Sequence, residues 1–439
     1  MRRIPFYRPS LGREEFAEVV DTLKSGWLTT GPRTEQFERE FAAYVGHKHA
    51  LAVNSCTAAL HLAVEALGLK PGQGVIVPTM TFAATAEVVR YLGARPLLAD
   101  CRPEDFNLEV ADAERRIRSA LAAGIQVAAI MPVDYGGQVG DVAGVRELAR
   151  RYHLKIVEDA AHCCPAYYRE PKEAPGAVAA ASGAAGRRRT GRSSPATPPE
   201  WQPAGRGADF ICYSFYANKP ITTGEGGMVC TQSDEYAKRM RLMSLHGLSR
   251  DPWNRYADEG SWYYEIIAPG FKYNLTDIAA AIGLHQLRKA DRLHRRRCAL
   301  AAQYEAALQE LDELVLPRVM RDRIHSWHLY VIRLRLDRLR IDRREFIALL
   351  RQRGISASVH WMPLHLHPYY RQTYAYRPQD LPTANSLYPE MVTLPLYPDL
   401  EGAGIRHVCD AVKDILRRNR GRPRPARPRK GPGKAVLSL

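Results

Sequence analysis

The chain has 439 residues, of which 46% are hydrophobic and 25% charged, and its formal net charge is +16. These proportions are typical of globular proteins and exclude a wholly disordered chain, and without a run of about 18 apolar residues the sequence cannot form a membrane-spanning helix. Residues 169–206 and 417–439 hold most of the positive charge and leave about +3 for the rest, which excludes a dedicated nucleic-acid-binding domain.

Two helices are predicted near the start of the chain. In Gly12–Leu23 the apolar residues recur at helical spacing, on a face formed by Phe16, Val19, Val20 and Leu23. A second amphipathic helix is predicted over Thr34–Tyr44. Before both of them, Arg8 interrupts the apolar stretch that a signal peptide needs, so we expect a cytoplasmic protein.

Short apolar runs then alternate with helical patterns. The predicted strands are Ala50–Val53, Gly74–Val77, Pro96–Leu98, Val127–Pro132 and Lys155–Val157. The predicted helices between them are Ala58–Leu67, Ala83–Leu92 and Asp141–Tyr152. Strands with few charges, separated by helices, indicate βαβ units and a largely parallel, buried sheet.

Residues 169–206 break this alternation. They are rich in Gly, Ala, Pro and Arg and show no periodicity, so we predict a disordered surface insertion. Two more strands follow it, Asp209–Tyr213 and Gly227–Thr231, and then one long helix, Thr276–Leu311.

From residue 314 onward the pattern changes. Strands are predicted at Trp327–Leu336 and Ala357–Val359, and helices at Arg343–Arg353 and Gly404–Arg418. This order is typical of a smaller α+β domain packed against the first one. We therefore expect a large α/β domain over residues 1–285, a small C-terminal domain over residues 286–418 and a disordered basic tail over residues 419–439.

The eight cysteines are scattered along the chain, and most lie within apolar runs. No two have the C-x-x-C spacing of a zinc site or a redox motif, so we predict free thiols in a reducing compartment and no metal site. A buried free thiol behaves as a small apolar side chain.

A lone lysine follows the strand that ends near Ser214. Lys219 lies in a turn-rich segment that continues to the glycines at 224, 226 and 227. If a pocket desolvates this amine, its pKa falls and it becomes a nucleophile that can form a Schiff base. The alternative is a surface lysine in a Gly-rich hairpin.

An acid follows another predicted strand, in the segment Ile156–His162. Asp159 falls at the carboxyl end of a parallel strand, where open α/β sheets bind their ligands. There it could pair with a pyridinium nitrogen and keep that ring an electron acceptor. It could equally cap the next helix.

Small and hydroxyl-bearing residues connect the first strand to its helix. The backbone amides of Thr57 and Ala58, with the helix dipole, would form a cradle for a phosphate, although ordinary capping by Ser or Thr gives the same pattern. After the second strand, Phe82 offers an aromatic ring at the same sheet edge. It could stack on a flat cofactor or pack in the core.

A phosphate cradle, an aromatic ring, an acid and then a lysine follow one another in an order that resembles the DegT/DnrJ/EryC1/StrS family of pyridoxal-phosphate-dependent sugar aminotransferases. The resemblance runs from Ile4 to Leu416, through Arg8-Pro9, residues 25–32, Glu158–His162, Ser214-Phe215 with Lys219, Thr222–Gly227, His246-Gly247, Gly270–Asp277, Trp327–Tyr330 and Val359-His360 with Pro363. It implies the type I aspartate-aminotransferase fold, with a mostly parallel, mixed seven-stranded sheet in the large domain. Two departures are Cys56, where the family commonly has Gly, and residues 169–206, where it has a short hairpin.

The resemblance also implies roles for individual side chains. Lys219 would form the Schiff base with pyridoxal 5'-phosphate and carry a proton between Cα and C4′, Asp159 would pair with the ring nitrogen, and His162 would lie beside the phenolic oxygen. The other implied cofactor contacts are Phe82 on the ring and, at the phosphate, Thr57, Ala58, Ser214 and Asn274, the last from the neighbouring subunit. The segments that approach the sugar in this family contain Thr29, Gly31, His246, His328 and His360.

The function implied is transfer of the amino group of L-glutamate to a nucleotide-linked keto sugar (a UDP- or dTDP-linked 3-keto or 4-keto hexose), for cell-surface polysaccharide or aminosugar biosynthesis. The expected enzyme is a cytoplasmic homodimer with its active site at the interface, and we expect no specific nucleic acid or membrane partner. One alternative is a sugar dehydratase of the same fold, a branch in which His replaces the lysine. The other is a non-catalytic regulator that binds a nucleotide sugar. The presence of Lys219 favours aminotransfer.

Overall fold

The computed structural model describes residues 3–170, 200–248 and 264–421. Its helices are α1 (Arg13–Ser25), α2 (Pro32–Val45), α3 (Cys56–Ala66), α4 (Ala84–Tyr91), α5 (Val110–Ala122), α6 (Val142–Tyr152), α7 (Asp234–Ser244), α8 (Asp277–Arg288), α9 (Ala290–Leu308), α10 (Arg343–Gln352), α11 (Pro368–Tyr374), α12 (Pro382–Leu387) and α13 (Gly402–Asn419). Its strands are β1 (His49–Val53), β2 (Gly74–Pro78), β3 (Arg95–Ala99), β4 (Val127–Ile130), β5 (Lys155–Asp159), β6 (Tyr167–Tyr168), β7 (Gln202–Pro203), β8 (Phe210–Ser214), β9 (Gly227–Thr231), β10 (Leu314–Val315), β11 (Arg323–Ile324), β12 (Tyr330–Leu334) and β13 (Met391–Leu394).

Within the described residues, seven strands form one sheet in the order β1-β9-β8-β5-β4-β2-β3. The neighbouring strands from β8 to β3 pair in parallel, while β9 runs antiparallel to both β8 and β1. This arrangement confirms the predicted mixed, mostly parallel sheet. The strands predicted before residue 232 are all present, with ends shifted by at most two residues.

Helices cover both faces of this sheet, which is why its strands are apolar along their whole length. On β2, the side chains of Val75 and Val77 pack in a core with α3, α4 and α7. The side chain between them, Ile76, points to the opposite face and packs with α5 and α6. The remainder of that face is covered by α2 and α8, through residues such as Phe37 and Leu284.

A separate apolar core lies in the C-terminal part of the chain. There β12 pairs antiparallel with β10 and β13, and α9, α10 and α13 pack around them through Tyr304, Phe346 and Val412. This agrees with the α+β pattern predicted from residue 314. Ile4 joins this core and pairs with Ile355, so the first described residues belong to it although they precede the large sheet. The domain boundary after residue 285 remains a proposal.

Two C-terminal predictions are wrong in detail. The helix predicted over Thr276–Leu311 is divided at Lys289 into α8 and α9, and the Lys289 ammonium forms an ion pair with the buried carboxylate of Glu15 on α1. The strand predicted over Ala357–Val359 is a single antiparallel bridge from Ser358 to Thr393, at the edge of β13 that does not face β12.

The disordered insertion predicted over residues 169–206 is corrected at its ends. β7 pairs with β6, which pairs in turn with β11, and the Gly205 amide donates to Glu158 Oε1 at 2.8 Å. Residues 171–199 lie outside the described residues. The predicted tail also begins later than residue 419, because Arg420 forms an ion pair with Glu313 and the structure describes the chain to residue 421. Residues 422–439 of the tail lie outside the described residues.

The eight cysteines are all unpaired, and six of them are buried, which confirms the predicted free thiols. Among the residues that the structure describes, no helix is both long and apolar enough to cross a membrane. Helix α1 forms as predicted, but its apolar side chains Phe16, Val20 and Leu23 are 60%, 48% and 52% exposed, while Glu15 and Thr22 face the protein. The apolar face of α1 therefore points away from the chain's own core.

Candidate functional site

The carboxyl ends of β1, β2, β5 and β8 meet at one edge of the sheet, since these four strands run in the same direction. A cavity of about 360 Å³ opens at this edge. Seven of the predicted site residues line it: Thr57, Phe82, Asp159, His162, Ser214, Lys219 and His360. These side chains are separated by up to about 300 positions in the sequence, and the topology of the sheet brings them together.

The other predicted residues lie outside this cavity. His328 is buried behind His162, with ring centres 4.5 Å apart. Asn274 donates from its side-chain amide to the Thr30 hydroxyl at 2.7 Å, in the segment that also contains Thr29 and Gly31. His246 is exposed near the end of a described segment.

The loop that carries Lys219 is built by hydrogen bonds of its own hydroxyl residues. The Thr222 hydroxyl donates to the Phe215 carbonyl at 3.0 Å and accepts from the Gly224 amide at 2.9 Å. Gly224 has a φ of 86°, a left-handed conformation that favours glycine. The loop places the Lys219 amine on the cavity wall, where desolvation lowers its pKa to about 8.

Asp159 ends β5 with both carboxylate oxygens engaged. The Thr85 hydroxyl donates to Oδ2 at 2.8 Å, and the Ala161 amide donates to Oδ1 at 3.1 Å. Burial raises the pKa of this carboxyl, and the hydrogen bonds and the charge of Lys219 oppose that rise. Thr85 therefore orients the acid. It lies three residues beyond Phe82, and nothing in the sequence connected it with Asp159.

His162 follows Asp159 and is buried in a fixed orientation. The Gly136 amide donates to its Nδ1 at 3.1 Å, and because a backbone amide can only donate, Nδ1 carries no proton. Desolvation holds the pKa of His162 well below its ordinary value, so the ring is neutral. The remaining proton is on Nε2, which makes His162 a hydrogen-bond donor.

Helix α3 begins at the cavity, and Ser55 caps its start, which is the alternative that the sequence left open beside a phosphate cradle. The Ser55 hydroxyl accepts from the Ala58 amide at 3.1 Å, so the Ala58 amide, which the sequence suggested was free for a phosphate, is already used. A Cβ on Gly227 would lie 2.6 Å from the amide nitrogen of Cys56, and β9 can therefore pass this helix start only with glycine. Ser55, Cys56 and Thr57 line the cavity at the positive end of the helix dipole.

Two aromatic side chains lie at the cavity wall. Phe82 is 59% exposed, so it is not a core residue, and its ring centre lies 6.3 Å from that of Trp361. Trp361 also lines the cavity. It follows Ser214, the last residue of β8, by about 150 positions, so no local pattern connected the two. A ring on this wall can cover the face of a flat ligand.

The cavity matches the needs of pyridoxal phosphate. It has an amine with a lowered pKa, an oriented carboxylate, a neutral imidazole donor, a helix start that can receive a phosphate and an exposed aromatic ring. The family model of the DegT/DnrJ/EryC1/StrS aminotransferases matches residues 9–413. The chain belongs to this family.

Individual relatives align with nearly the whole length of this chain. The chain is 41% identical over 417 residues to an uncharacterized protein of Methanocaldococcus jannaschii, covering 95% of this chain and 98% of that protein. It is 39% identical over 415 residues to the spore coat polysaccharide biosynthesis protein SpsC of Bacillus subtilis, covering 94% and 97%. Spr1654 of Streptococcus pneumoniae, provisionally named a sugar aminotransferase and solved in its PLP and PMP forms, superimposes with a TM-score of 0.80 at 28% identity, and its PMP form covers 95% of this chain and 98% of its own. This match confirms the predicted fold.

Proposed function

We propose that this aminotransferase uses pyridoxal phosphate to move the amino group of L-glutamate to a nucleotide-linked keto sugar, for cell-surface polysaccharide or aminosugar biosynthesis. The observation that carries the proposal is that Lys219 and Asp159 line the same cavity. An amine with a pKa of about 8 and an oriented buried carboxylate are what a carbonyl-bearing pyridine cofactor requires. The dehydratase branch of the fold has His in place of this lysine, so Lys219 supports aminotransfer.

Pyridoxal phosphate, when bound, supplies a carbonyl that condenses with amines and a conjugated ring that accepts electrons. Lys219 would hold it through its amine, and the same amine would carry the proton between Cα and C4′. Asp159, oriented by Thr85, would hold the proton on the ring nitrogen. His162 would donate a hydrogen bond from its Nε2–H to the phenolic oxygen.

The remaining cavity residues would bind the cofactor's periphery. The Ser214 hydroxyl and the start of α3 at Thr57 would receive the phosphate, and Phe82 would cover one face of the ring. His360 lines the same cavity and would contact the sugar, and burial lowers its pKa to about 4, so it would do so as a neutral ring. The relation to SpsC, a protein of polysaccharide biosynthesis, supports a sugar acceptor.

A homodimer would complete this site. Thr29, Gly31 and Asn274 lie together outside the cavity of their own chain, as expected if they serve the partner's cavity instead. Helix α1 packs on α8, the helix that begins three residues after Asn274, and it exposes the apolar residues Phe16, Val20 and Leu23. We propose that a second copy of the chain covers this face of α1, and that the dimer acts in the cytoplasm, where nucleotide sugars and free thiols coexist.

Charge placed on this face of α1 is expected to separate the subunits. In the double variant Phe16→Asp and Leu23→Asp, two carboxylates would have to be buried in the interface, and the dissociation constant of the dimer should rise about 100-fold or more. Light scattering over a concentration series measures this change. Leu121→Asp, at a residue that is 48% exposed on α5, is the matched control and should leave the dimer intact. An unchanged mass for the double variant would place the interface elsewhere.

The pH dependence of cofactor capture should report the lowered pKa of Lys219. Burial disfavours the protonated amine, so the neutral nucleophile predominates above a pKa of about 8. The rate at which the apoenzyme binds pyridoxal phosphate should therefore rise about tenfold between pH 7 and pH 9 and then level off. Stopped-flow absorbance follows this reaction. A rate that is still rising steeply at about pH 10 would mean that the amine keeps its ordinary pKa.

Absorbance spectroscopy tests the proposed function as a whole. The purified protein with pyridoxal phosphate should show a visible band that disappears on addition of L-glutamate and returns on addition of a UDP- or dTDP-linked 3-keto or 4-keto hexose. Mass spectrometry of the sugar should then show replacement of the carbonyl oxygen by an amine. A sugar that loses water without gaining nitrogen would identify the dehydratase. A spectrum insensitive to both substrates would favour the non-catalytic regulator.

A further inference from the structure

His162 lies between two rings that come from the C-terminal part of the chain. The indole of Trp361 stacks on it with ring centres 4.9 Å apart and planes within 6°. His328 contacts it with a centre-to-centre distance of 4.5 Å and an interplanar angle of 35°. Both rings are distant from His162 in sequence, and neither is part of the large sheet that carries it.

Trp361 is itself held by its surroundings. Tyr135 meets it edge to face at 6.0 Å, and the Tyr135 hydroxyl donates to the carbonyl of His360. His360 is fixed in turn by a 2.9 Å contact between its Nδ1 and the Thr393 hydroxyl and by stacking on Phe6 at 5.3 Å. Trp361 therefore has little freedom to turn away from His162.

We propose that Trp361 is a positioning residue that holds His162 as a neutral Nε2–H donor facing the cavity. The Gly136 amide fixes the tautomer at one end of the imidazole, but a single hydrogen bond leaves the ring free to rotate about it. Stacking by Trp361 removes that rotation and excludes water from one face of the ring. The donor is then oriented before any ligand binds, which reduces the free-energy cost of ordering it.

The charges around His162 agree with a neutral ring. The groups that face it are Lys219, His360, His325 and His328, and each of them would repel a second positive charge when protonated. The Gly136 amide would also oppose a proton on Nδ1. The proposal rests on the proposed function only in naming the acceptor of the Nε2 proton, the phenolic oxygen of the cofactor.

Nitrogen NMR of the apoenzyme, with its histidines labelled with nitrogen-15, tests in the absence of the cofactor whether Trp361 holds His162 in place. In the wild type, and in Trp361→Phe, which retains a ring, His162 should show one neutral tautomer protonated on Nε2. In Trp361→Leu we expect a mixture of tautomers and a pKa of His162 raised by about one unit. His162→Gln identifies the signal by its loss. Unchanged signals in Trp361→Leu would overturn the proposal.

The absorbance of the holoenzyme supplies the second readout. The visible band changes with pH, and its midpoint is the quantity measured. Trp361→Leu should shift this midpoint by about one pH unit when His162 is present. It should not shift it in the His162→Gln background, because glutamine has no ring for Trp361 to hold. An equal shift in both backgrounds would also overturn the proposal. Trp201→Leu, which removes an indole that contacts Arg169 and does not line the cavity, should change neither readout, and thermal unfolding checks that each variant is folded. Absence of a visible band in the wild type would instead count against the proposed function, with the NMR result unaffected.

Discussion

Replacement of Lys219 by alanine should lower the rate of glutamate deamination at least about 1,000-fold, because it removes both the nucleophile and the group that moves the proton. The visible absorbance band should also be lost. Pyridoxal phosphate would still bind through the phosphate cradle and Asp159, since neither depends on the amine. Single-turnover absorbance with L-glutamate and equilibrium dialysis of the cofactor measure the two effects separately.

The matched control is Lys219→Arg, which keeps the positive charge but cannot form the covalent bond. It should be as inactive as Lys219→Ala. Lys155→Ala, which removes a half-exposed surface lysine paired with Asp209, should retain full activity. Deamination at the wild-type rate in Lys219→Ala would show that another residue carries the chemistry and that the proposed mechanism is wrong.

Replacement of Asp159 by asparagine should lower the same rate about 100- to 1,000-fold while preserving the shape of the site. The amide oxygen can still accept from the Thr85 hydroxyl, but the side chain carries no charge to hold a proton on the ring nitrogen. The cofactor would therefore bind and react poorly. The rate constant of the glutamate half-reaction measures the effect, and the absorbance of the bound cofactor shows that the site is occupied.

Asp141→Asn is the matched control for this substitution. Asp141 caps α6 by accepting from the Gly144 amide at 3.0 Å, a bond that asparagine can also make, and it lies outside the cavity. Wild-type kinetics are expected for it. A loss of less than about tenfold in Asp159→Asn would mean that the ring nitrogen is not protonated by this carboxylate.

The sequence by itself predicted the strands of the large sheet and the positions of Lys219 and Asp159 at strand ends. The physical reason is that a parallel sheet covered on both faces requires continuous apolar runs, such as Val75–Val77, and these are local and easily recognised. Because the carboxyl ends of such strands share one edge, polar residues that follow them indicate a common site. The family resemblance added the fold and the cofactor.

Contacts between distant segments were decided only by the tertiary structure. The apolar face of α1 was predicted correctly as a pattern, but whether Phe16 faces the chain's own core or its surface depends on where α8 packs, which the pattern does not contain. Likewise, the helix break falls at Lys289, whose ammonium pairs with buried Glu15 more than 270 residues away in the sequence.

The finer geometry of the site has the same origin. The Thr85 hydroxyl reaches Asp159, the backbone amide of Gly136 reaches His162, and Trp361 stacks on His162, each across a long sequence separation. Periodicity and spacing describe only how a segment is folded locally, so they locate the strands and show which residues stand at the strand ends. Which side chains then orient those residues is decided by packing between elements, and that exists only once the chain has folded.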